Sequence, residues 1–318
     1  MQIWTQDSNG IYIDNNMLDS QRQCQEKCYN NYTLGLSLGE HTPATYFGTR
    51  WHEAMHELWG RWLPSGELDS SWAIDKAWLF IQDYDLAYES EKKGKTFTRL
   101  KNAILEYGGF TDEITGVTYA DFHHNHKTLI AEEFVSHPIC EHEGKTVYYC
   151  GQIDRVLWDV EGKKAIALDY KTSSWNQLMD NVWAHSPQFI GYLWLINKKF
   201  GSEIGHTNSF ILDLFQMQAK FKNKFTRRQM YFDDWMIDEW EAKRIKEIHR
   251  LLSAEPPFED APKCTDYGGC PYFRLCSQPP EFRANLETHL FKRIVWNIHG
   301  NLPVDTEGMN SFLKERQK

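Results

Sequence analysis

The spacing of apolar positions along the chain predicts several long helices. In the clearest case, Leu, Ile, Tyr and Trp recur at i, i+3 and i+4 through residues 176–199, which is the period of a helix with one apolar face. Pro64-Ser65-Gly66 ends an earlier helical pattern, because this combination breaks helices. The helical segments are expected at residues 17–36, Pro43 to about Trp62, 70–107, 176–199 and 233–252.

Shorter apolar runs between these segments predict strands, and they are concentrated in the middle of the chain. The predicted strands are residues 129–137, 146–158, 164–172, 208–217 and 225–232. Strands that are flanked by long helices favour an α/β core with helical additions.

Composition places the chain among ordinary folded proteins and limits how it can meet nucleic acid. Its 318 residues are 41% hydrophobic and 25% charged. The 44 acidic residues outnumber the 35 Lys and Arg residues, which gives a net charge of −9. Such a chain does not attract polyanions over its whole surface. Contact with nucleic acid must therefore use a local basic surface, or metal ions that offset the carboxylates.

The chain carries no pattern of a membrane or secreted protein. No run of about 18 apolar residues occurs, so no membrane span is expected. Residues 1–7 lack the basic and apolar regions of a secretory signal, which favours a cytoplasmic and reducing location. The seven cysteines are clustered and odd in number, so metal ligation is favoured over disulfides.

The most informative segment is a predicted hairpin that contains two aspartates and a lysine. A turn centred between Glu161 and Gly162 pairs Asp154 directly with Asp169, with Cβ atoms about 5 Å apart. Lys171 follows two residues after Asp169 and therefore lies on the same face. One hairpin is thus predicted to present two carboxylates and one ammonium group together.

Two opposed carboxylates repel each other unless a cation lies between them. Mg²⁺ takes oxygen ligands and keeps several waters, which leaves room for a phosphate oxygen. A lysine beside that ion can position or deprotonate the attacking water and balance charge in the transition state. The apolar residues that flank the acids argue against a solvated surface hairpin.

These residues resemble the PD-(D/E)XK nuclease superfamily, specifically its RecB-like exonuclease branch. The hairpin is similar to the Gly-x-x-Asp and Asp-x-Lys motifs of that branch. Gly48 to His52 resembles its Gly-x-x-x-His helix, and Gln188 to Tyr192 resembles its Gln-x-x-x-Tyr motif. The resemblance extends from about residue 17 to 277 and rests on the shared order of the motifs.

The resemblance implies a restriction-endonuclease-like core, in which a mixed central sheet is flanked by helices within a single nuclease domain, residues 1–318. Its expected parts are N-terminal helices at 17–66, a helical insertion at 70–125, the catalytic core at 129–232, a helix and cysteine cluster at 233–277, and a tail at 278–318.

The resemblance also implies the ligands of the metal site. Asp154 and Asp169 would hold one or two Mg²⁺ or Mn²⁺ ions, His52 would add a ligand, and Lys171 would assist the water. The branch often carries a further Glu on an earlier strand, and here Glu133 is favoured over its neighbour Glu132, with a solvated strand edge as the alternative.

Two helical residues are implied to act near the substrate. Gln188 and Tyr192 are one helical turn apart and share a face. The resemblance implies that they touch the substrate backbone or the catalytic lysine. A structural amide and a core tyrosine are the alternative interpretation.

A second motif overlaps the histidine helix. His52-Glu53-Ala54-Met55-His56 fits the H-E-x-x-H pattern, in which two histidines bind Zn²⁺ and the glutamate is a general base. A zinc protease needs a third ligand, and His123, His124 and His126 are the candidates. The nuclease interpretation is favoured because it also accounts for the hairpin, the Gln-x-x-x-Tyr segment and the cysteines.

The last three cysteines, Cys264, Cys270 and Cys276, lie in a segment with Gly268, Gly269 and Pro271 that can fold around a metal. Three thiolates need a fourth donor, and the residues alone indicate only a four-thiolate site. The segment resembles the split iron–sulfur site of the AddB and CRISPR-adaptation exonucleases. This resemblance implies a 4Fe–4S cluster rather than Zn²⁺, with Cys24 as the fourth ligand and Cys28 as the second choice. Joining distant parts of the chain would make the cluster mainly stabilising.

One segment combines positive charges with aromatic residues. Basic and aromatic residues in alternation suit single-stranded DNA, through phosphate contacts and base stacking. A turn whose charges only aid solubility is the alternative. The predicted nucleic-acid contacts are Lys220, Lys222, Lys224, Arg227 and Arg228.

Taken together, the sequence predicts a metal-dependent DNA nuclease that acts as an exonuclease on single-stranded or frayed ends, in recombination, repair or phage/CRISPR DNA processing. The chain carries no G-x-x-x-x-G-K-[ST] motif, so a helicase or recombination protein would be a separate partner. A non-catalytic nucleic-acid-binding or assembly module of the same fold is the main alternative, followed by the zinc metalloprotease.

Overall fold

The computed structural model describes residues 6–7, 10–39, 42–60, 82–91, 94–174, 183, 185–217, 223–253, 264–265 and 269–294. The chain divides into two compact units. Unit 1 comprises Met1–Glu40, Ser136–Cys150 and Ala242–Lys318, and unit 2 comprises His41–Val135 and Gly151–Glu241.

The strands in the described residues are β1 (Gln6–Asp7), β2 (Gly10–Asp14), β3 (Leu36–Ser37), β4 (His126–His142), β5 (Lys145–Asp159), β6 (Lys164–Ser173), β7 (Ser209–Gln216), β8 (Lys224–Tyr231) and β9 (Lys292–Arg293). They pair in the order β1-β2-β5-β6-β7-β8, β4 also pairs with β5, and β3 pairs with β9. The β2–β5 and β6–β7 pairs are parallel, whereas β5–β6 and β7–β8 are antiparallel. This mixed sheet with flanking helices confirms the fold class expected from the sequence.

The α-helices in the described residues are α1 (Asn15–Gln23), α2 (Gln25–Cys28), α3 (Pro43–Met55), α4 (Phe97–Tyr107), α5 (Tyr119–Asn125), α6 (Pro187–Ile204), α7 (Asp234–Leu252), α8 (Phe273–Cys276) and α9 (Pro280–Leu290). Two π-helical turns cover Tyr29–Thr33 and His56–Gly60, and a 3-10 turn covers Leu86–Tyr88. Within the described part of the chain, no helix combines the length and apolar character needed to cross a bilayer.

Helix α3 is fixed in unit 2 by its cap and by a buried aromatic cluster. The Thr42 hydroxyl accepts a hydrogen bond from the backbone of Thr45, and Pro43 occupies the first turn, where its missing N–H costs nothing. Trp51 is buried and packs on Phe215 of β7, with ring centroids 4.9 Å apart. The next residue along the helix, His52, is thereby held beside the sheet.

The five central strands follow the predicted ranges, and β4 is longer than expected at both ends. The turn of the β5–β6 hairpin lies where it was predicted: Asp159 accepts hydrogen bonds from the backbone N–H groups of Glu161 and Gly162. Strands β1, β2, β3 and β9 were not predicted, because each is short and lacks a clear alternating pattern.

The helix expected over residues 17–36 is interrupted. Cys24 has an extended backbone, with φ −167° and ψ 123°, and separates α1 from α2. The break turns the chain so that Cys28 is buried, with its thiol 3.6 Å from the carbonyl oxygen of Met17. The single helix predicted over residues 17–36 is therefore corrected to two helices that are separated at Cys24.

Two other helical segments also differ from expectation. Of the segment 176–199, residues 176–182 and 184 lie outside the described residues, and α6 begins at Pro187, which fits the first turn of a helix. Of the segment 70–107, residues 70–81, 92 and 93 lie outside the described residues. Between 82 and 96 the structure has the 3-10 turn and an isolated bridge between Ser90 and Lys95 in place of a long helix.

Candidate metal and active site

The predicted register of the β5–β6 hairpin is confirmed. Arg155 is paired with Leu168, and Asp154 and Asp169 are the next positions along this ladder. The Asp154 Oδ2 atom accepts a 2.8 Å hydrogen bond from the backbone N–H of Tyr170, which fixes this carboxylate against the neighbouring strand. Both aspartates are buried.

His52 of α3 joins this hairpin. Its Nδ1 atom lies 3.2 Å from Oδ2 of Asp154 and 3.8 Å from Oε1 of Glu132. These three residues each offer a ligand atom, and the three atoms all lie within 4.8 Å of one another. One imidazole from a helix and two carboxylates from strands thus form a group that can hold a metal ion.

The structure brings Glu132 into this group, whereas the sequence analysis favoured Glu133. Glu132 has φ 51°, a left-handed backbone that is uncommon for a residue with a side chain and that interrupts the alternation of β4. Its carboxylate accepts a 2.9 Å hydrogen bond from Nε2 of Gln152, and Glu133 is exposed. The structure therefore places Glu132, and not Glu133, in the group that can hold a metal ion.

Asp169 and Lys171 form the second half of the site. Lys171 Nζ lies 2.7 Å from Oδ2 of Asp169, whose side chain is only 1% exposed. The other oxygen, Oδ1, has no hydrogen-bond partner among the described residues. Burial raises the pKa of Asp169 to about 6 even though Lys171 opposes this shift. Burial lowers the pKa of Lys171, but Asp169 and Asp154 outweigh it and hold that pKa above its ordinary value.

The charges of His52 and Asp154 depend on each other. Burial lowers the pKa of His52, but Asp154 and Glu132 together raise it to about 10. Burial raises the pKa of Asp154, but His52 and Lys171 hold it below its ordinary value. Positive charge is thus required between these carboxylates, and a divalent cation meets this requirement. Carboxylate oxygens with one imidazole nitrogen form a donor set that suits Mg²⁺ or Mn²⁺.

Gln188 and Tyr192 lie on α6, one turn apart, as predicted. The Gln188 Nε2 atom donates a 2.9 Å hydrogen bond to the Tyr192 hydroxyl, and Tyr192 is buried whereas Gln188 is half-buried. The pair therefore acts as one hydrogen-bonded unit.

The H-E-x-x-H segment is not assembled as a zinc site in the described residues. His52 is grouped with carboxylates and without His56. The carboxylate of Glu53 accepts a 2.8 Å hydrogen bond from Arg50. His123, one of the possible third ligands, is fully buried and has both ring nitrogens in hydrogen bonds.

The predicted nucleic-acid contacts differ in how exposed they are in the structure. Lys220 and Lys222 lie outside the described residues, Lys224 is exposed, and Arg228 is half-buried. Arg227 is buried, and its Nε donates a 2.6 Å hydrogen bond to Asp213. Arg227 is therefore a structural ion-pair residue and does not contact nucleic acid, because its guanidinium is turned into the fold.

The cysteine segment lies in unit 1 and is only partly described. Cys24, Cys264, Cys270 and Cys276 are half-buried, and Cys28 is buried. Gly269 has φ 101°, and the N–H of Cys270 donates a 2.7 Å hydrogen bond to the carbonyl of Cys264, so the chain turns back between these two cysteines. In the described residues, no three cysteine sulfurs lie within 4.8 Å of one another.

The comparisons with known proteins assign the family. Residues 17–277 match the family model of the PD-(D/E)XK nuclease superfamily, so the chain belongs to this superfamily. Its members are nucleases that use divalent metal ions, and the chain is accordingly a nuclease that acts on nucleic acid. No curated protein matches the chain.

Two solved structures are similar to the chain at low sequence identity. One is SSO0001, with a TM-score of 0.31, 16% identity and 48% of this chain covered; the match spans 60% of the SSO0001 chain. The other is a protein from Eubacterium rectale that is named as a candidate exonuclease, with a TM-score of 0.45, 12% identity, and 78% of this chain and 84% of that chain covered.

Proposed function

We propose that this chain is a metal-dependent deoxyribonuclease of the RecB-like exonuclease branch, which hydrolyses phosphodiester bonds from the end of single-stranded or frayed DNA. The observation that carries the proposal is the grouping of ligand atoms of His52, Glu132 and Asp154 within 4.8 Å. Asp154 lies on the hairpin that also carries the Asp169–Lys171 pair. The order of the motifs along the chain supports the branch.

In this proposal His52, Glu132, Asp154 and Asp169 hold the ion. A bound divalent cation supplies positive charge for the phosphate and acidifies a water. The ammonium group of Lys171, held by Asp169, orients that water and balances the negative charge that develops on the phosphate. Gln188 and Tyr192 position the DNA backbone beside the hairpin.

The decisive assay compares linear and covalently closed single-stranded DNA, labelled at the 5′ or the 3′ end, with Mg²⁺ or Mn²⁺. An exonuclease digests the linear strand and leaves the closed circle intact. Asp169→Asn should reduce cleavage by about a thousandfold or more. Asparagine has nearly the same shape as aspartate, but it removes an anionic metal ligand. Glu161→Gln, an exposed acid in the hairpin turn, is the matched control and should cleave normally.

Three outcomes would contradict the proposal in different ways. Cutting of the closed circle at the linear rate would make the chain an endonuclease. A wild-type protein that binds DNA and Mn²⁺ without cutting would be the non-catalytic binding module. Normal cleavage by Asp169→Asn would mean that the hairpin does not take part in catalysis.

We also propose that Cys24, Cys264, Cys270 and Cys276 hold a 4Fe–4S cluster that stabilises the fold. Cys28 is the second choice, because it is buried with its thiol 3.6 Å from the carbonyl oxygen of Met17. A tetrahedral zinc site with Zn–S bonds of about 2.3 Å would bring the sulfurs to about 3.8 Å from one another. In a 4Fe–4S cluster each thiolate binds a different iron, and the resemblance of this segment to a split iron–sulfur site supports the cluster over zinc.

Anaerobic purification followed by iron, sulfide and zinc analysis tests the cluster. We expect a coloured protein with iron and sulfide in equal amounts. Cys24→Ser should lose the iron, and Cys28→Ser should keep it. A colourless protein that contains zinc, or loss of iron in Cys28→Ser alone, would contradict the assignment.

The proposal extends to the setting of the nuclease. We place it in the cytoplasm as a single nuclease domain, residues 1–318, in recombination, repair or phage/CRISPR DNA processing. The absence of a P-loop motif from the sequence supports a separate helicase or recombination protein as its partner.

A further inference from the structure

A buried arginine lies directly behind the candidate metal site. Arg155 is 1% exposed and follows Asp154 on β5. Its Nη1 atom lies 2.8 Å from Nδ1 of His123 and 3.2 Å from the Tyr170 hydroxyl, and its Nη2 atom donates to the hydroxyl of Thr128. This arginine thus connects β4, β5, β6 and α5 within unit 2.

The hydrogen bonds around His123 have a defined direction. A guanidinium only donates, so Nδ1 of His123 accepts, and Nε2 must carry the ring hydrogen. That hydrogen is donated to the Tyr107 hydroxyl at 2.9 Å, and Tyr107 donates in turn to the carboxylate of Asp213. Burial and the charge of Arg155 hold the pKa of His123 well below its ordinary value, so the imidazole is neutral.

Each strand that Arg155 contacts carries one of the proposed metal ligands. On β4, Thr128 lies four residues before Glu132. On β5 and β6, Arg155 and Tyr170 directly follow Asp154 and Asp169. The arginine side chain therefore joins β6 at the residue next to Asp169 and β4 at a residue four positions before Glu132.

Packing alone does not account for this arrangement. The hydrogen bonds that the structure gives Arg155 all go to neutral groups, on His123, Tyr170 and Thr128. Burying a guanidinium without a carboxylate partner is costly, and apolar side chains of similar volume fill a core at lower cost. The buried positive charge of Arg155 and its directed hydrogen bonds indicate that this side chain holds its neighbours in a defined geometry.

We propose that Arg155 and His123 are positioning residues, which hold β4, β5 and β6 at the spacing that lets Glu132, Asp154 and Asp169 bind one metal ion. On this proposal α4 and α5, which lie within the predicted helical insertion, brace the site through Tyr107 and His123. This inference rests on the proposed function, because it concerns the affinity of the same metal site.

The test measures Mn²⁺ binding by calorimetry and the Mn²⁺ concentration that gives half-maximal cleavage. The variant Arg155→Met with His123→Leu removes the polar groups and keeps the volume, so it should fold. We expect its Mn²⁺ affinity to fall about ten- to a hundredfold, as is typical when groups that orient metal ligands are removed. Saturating Mn²⁺ should restore most of the cleavage rate.

Single variants keep the inference testable if the double variant fails to fold. His123→Asn retains an oxygen that can accept from Arg155 and should keep most of the Mn²⁺ affinity, whereas His123→Leu should lose it. His124→Leu, at the exposed neighbouring position, is the control and should bind Mn²⁺ normally.

The outcomes separate this inference from the proposed function. If wild-type protein does not bind Mn²⁺ at all, the proposed function fails first. If wild-type protein binds and cleaves, and the folded Leu and Asn variants of His123 bind Mn²⁺ equally well, the positioning role is overturned. If the variants have a lower melting temperature but an unchanged Mn²⁺ affinity, Arg155 and His123 only stabilise the fold, and the positioning role is likewise overturned.

Discussion

Gly151 of β5 lies against the ring of Tyr192 on α6. A Cβ atom at residue 151 would come within 2.9 Å of Cε1 of Tyr192 and 3.7 Å of Cδ1 of Leu195. Only glycine therefore lets the helix approach the strand this closely, three residues before Asp154. The same contact fixes the tyrosine hydroxyl that accepts the hydrogen bond from Gln188.

Gly151→Ala should displace the Tyr192 ring and reduce cleavage. Overpacking of a well-packed contact costs about 1–3 kcal/mol of stability, and a displacement of about 1 Å beside an active site can cost a hundredfold in rate. We expect a cleavage rate roughly a hundredfold below that of the wild type, measured on labelled single-stranded DNA under conditions where the variant remains folded.

Gly201 provides the matched control for this substitution. It lies in α6, and a Cβ atom added there would meet no neighbouring side chain or strand within 4 Å, so alanine fits without a clash. Gly201→Ala should raise the free energy of unfolding by about 0.5–1 kcal/mol and leave cleavage unchanged. Equal cleavage by the two alanine variants would show that the Gly151 contact has no functional effect.

Glu132 and Glu133 offer a second matched pair, because both lose one negative charge on substitution by glutamine. Glu132 faces His52, whereas Glu133 is exposed. Glu132→Gln should weaken Mn²⁺ binding by at least about tenfold, measured by calorimetry, since loss of groups that merely orient ligands already costs this much. Glu133→Gln should bind as the wild type does. If only Glu133→Gln binds Mn²⁺ more weakly, Glu133 is the metal ligand, as the sequence analysis favoured.

The hairpin was predictable from sequence, whereas the identity of the glutamate was not. A tight turn at Glu161 and Gly162 fixes the register in which Arg155 pairs with Leu168, and side chains alternate regularly from there. In β4 the left-handed backbone of Glu132 interrupts this alternation. The Glu132 carboxylate also accepts a hydrogen bond from Gln152 of another strand, a contact that no local pattern in β4 reveals.

Arg227 shows a similar limit of sequence reasoning. Within a basic and aromatic run it appeared as one more phosphate contact. In the structure it lies opposite Asp213 on the adjacent strand, and the two side chains form a buried ion pair. The available signal was Asp213 itself, a single acid in the otherwise apolar run of β7, but its partner becomes evident only once the strand pairing is known.

Arg227 and Arg228 should therefore respond differently to substitution by glutamine. Arg227→Gln leaves Asp213 buried without its charge partner, and loss of one partner of a buried pair costs about 3–5 kcal/mol in urea unfolding. Arg228→Gln should cost less stability than Arg227→Gln, because Arg228 is half-buried whereas Arg227 is buried. In anisotropy titrations with labelled single-stranded DNA, the Arg228→Gln substitution should weaken binding. The slope of the binding constant against salt concentration should fall by about the value of one phosphate contact. Weakened DNA binding by folded Arg227→Gln alone would contradict this division.

Asp14 places a buried carboxylate at the start of α1 in unit 1. Its Oδ1 atom accepts a 2.7 Å hydrogen bond from the backbone N–H of Met17. Burial raises the pKa of Asp14 from 3.8 to about 6, although that hydrogen bond opposes the shift. The folded protein therefore binds a proton at Asp14 at pH values where the unfolded chain has already released it.

The pH dependence of stability follows from this difference. Below pH 4 both states are protonated at Asp14, so the residue has no net effect on stability there. Between about pH 4 and 6 the unfolded chain alone is ionised at this position, so stability falls as pH rises and then levels off above pH 6. The total loss is on the order of 2–3 kcal/mol.

Asp14→Asn should remove this loss, because asparagine caps a helix about as well as aspartate and carries no charge. Urea unfolding of both proteins at intervals from pH 4 to pH 7 measures the effect. We expect similar stability near pH 4 and an advantage of the variant that grows to about 2 kcal/mol by pH 7. A constant difference across this range would mean that Asp14 titrates alike in both states. A variant that is less stable at pH 7 would mean that the charge of Asp14 is stabilising at the helix N-terminus.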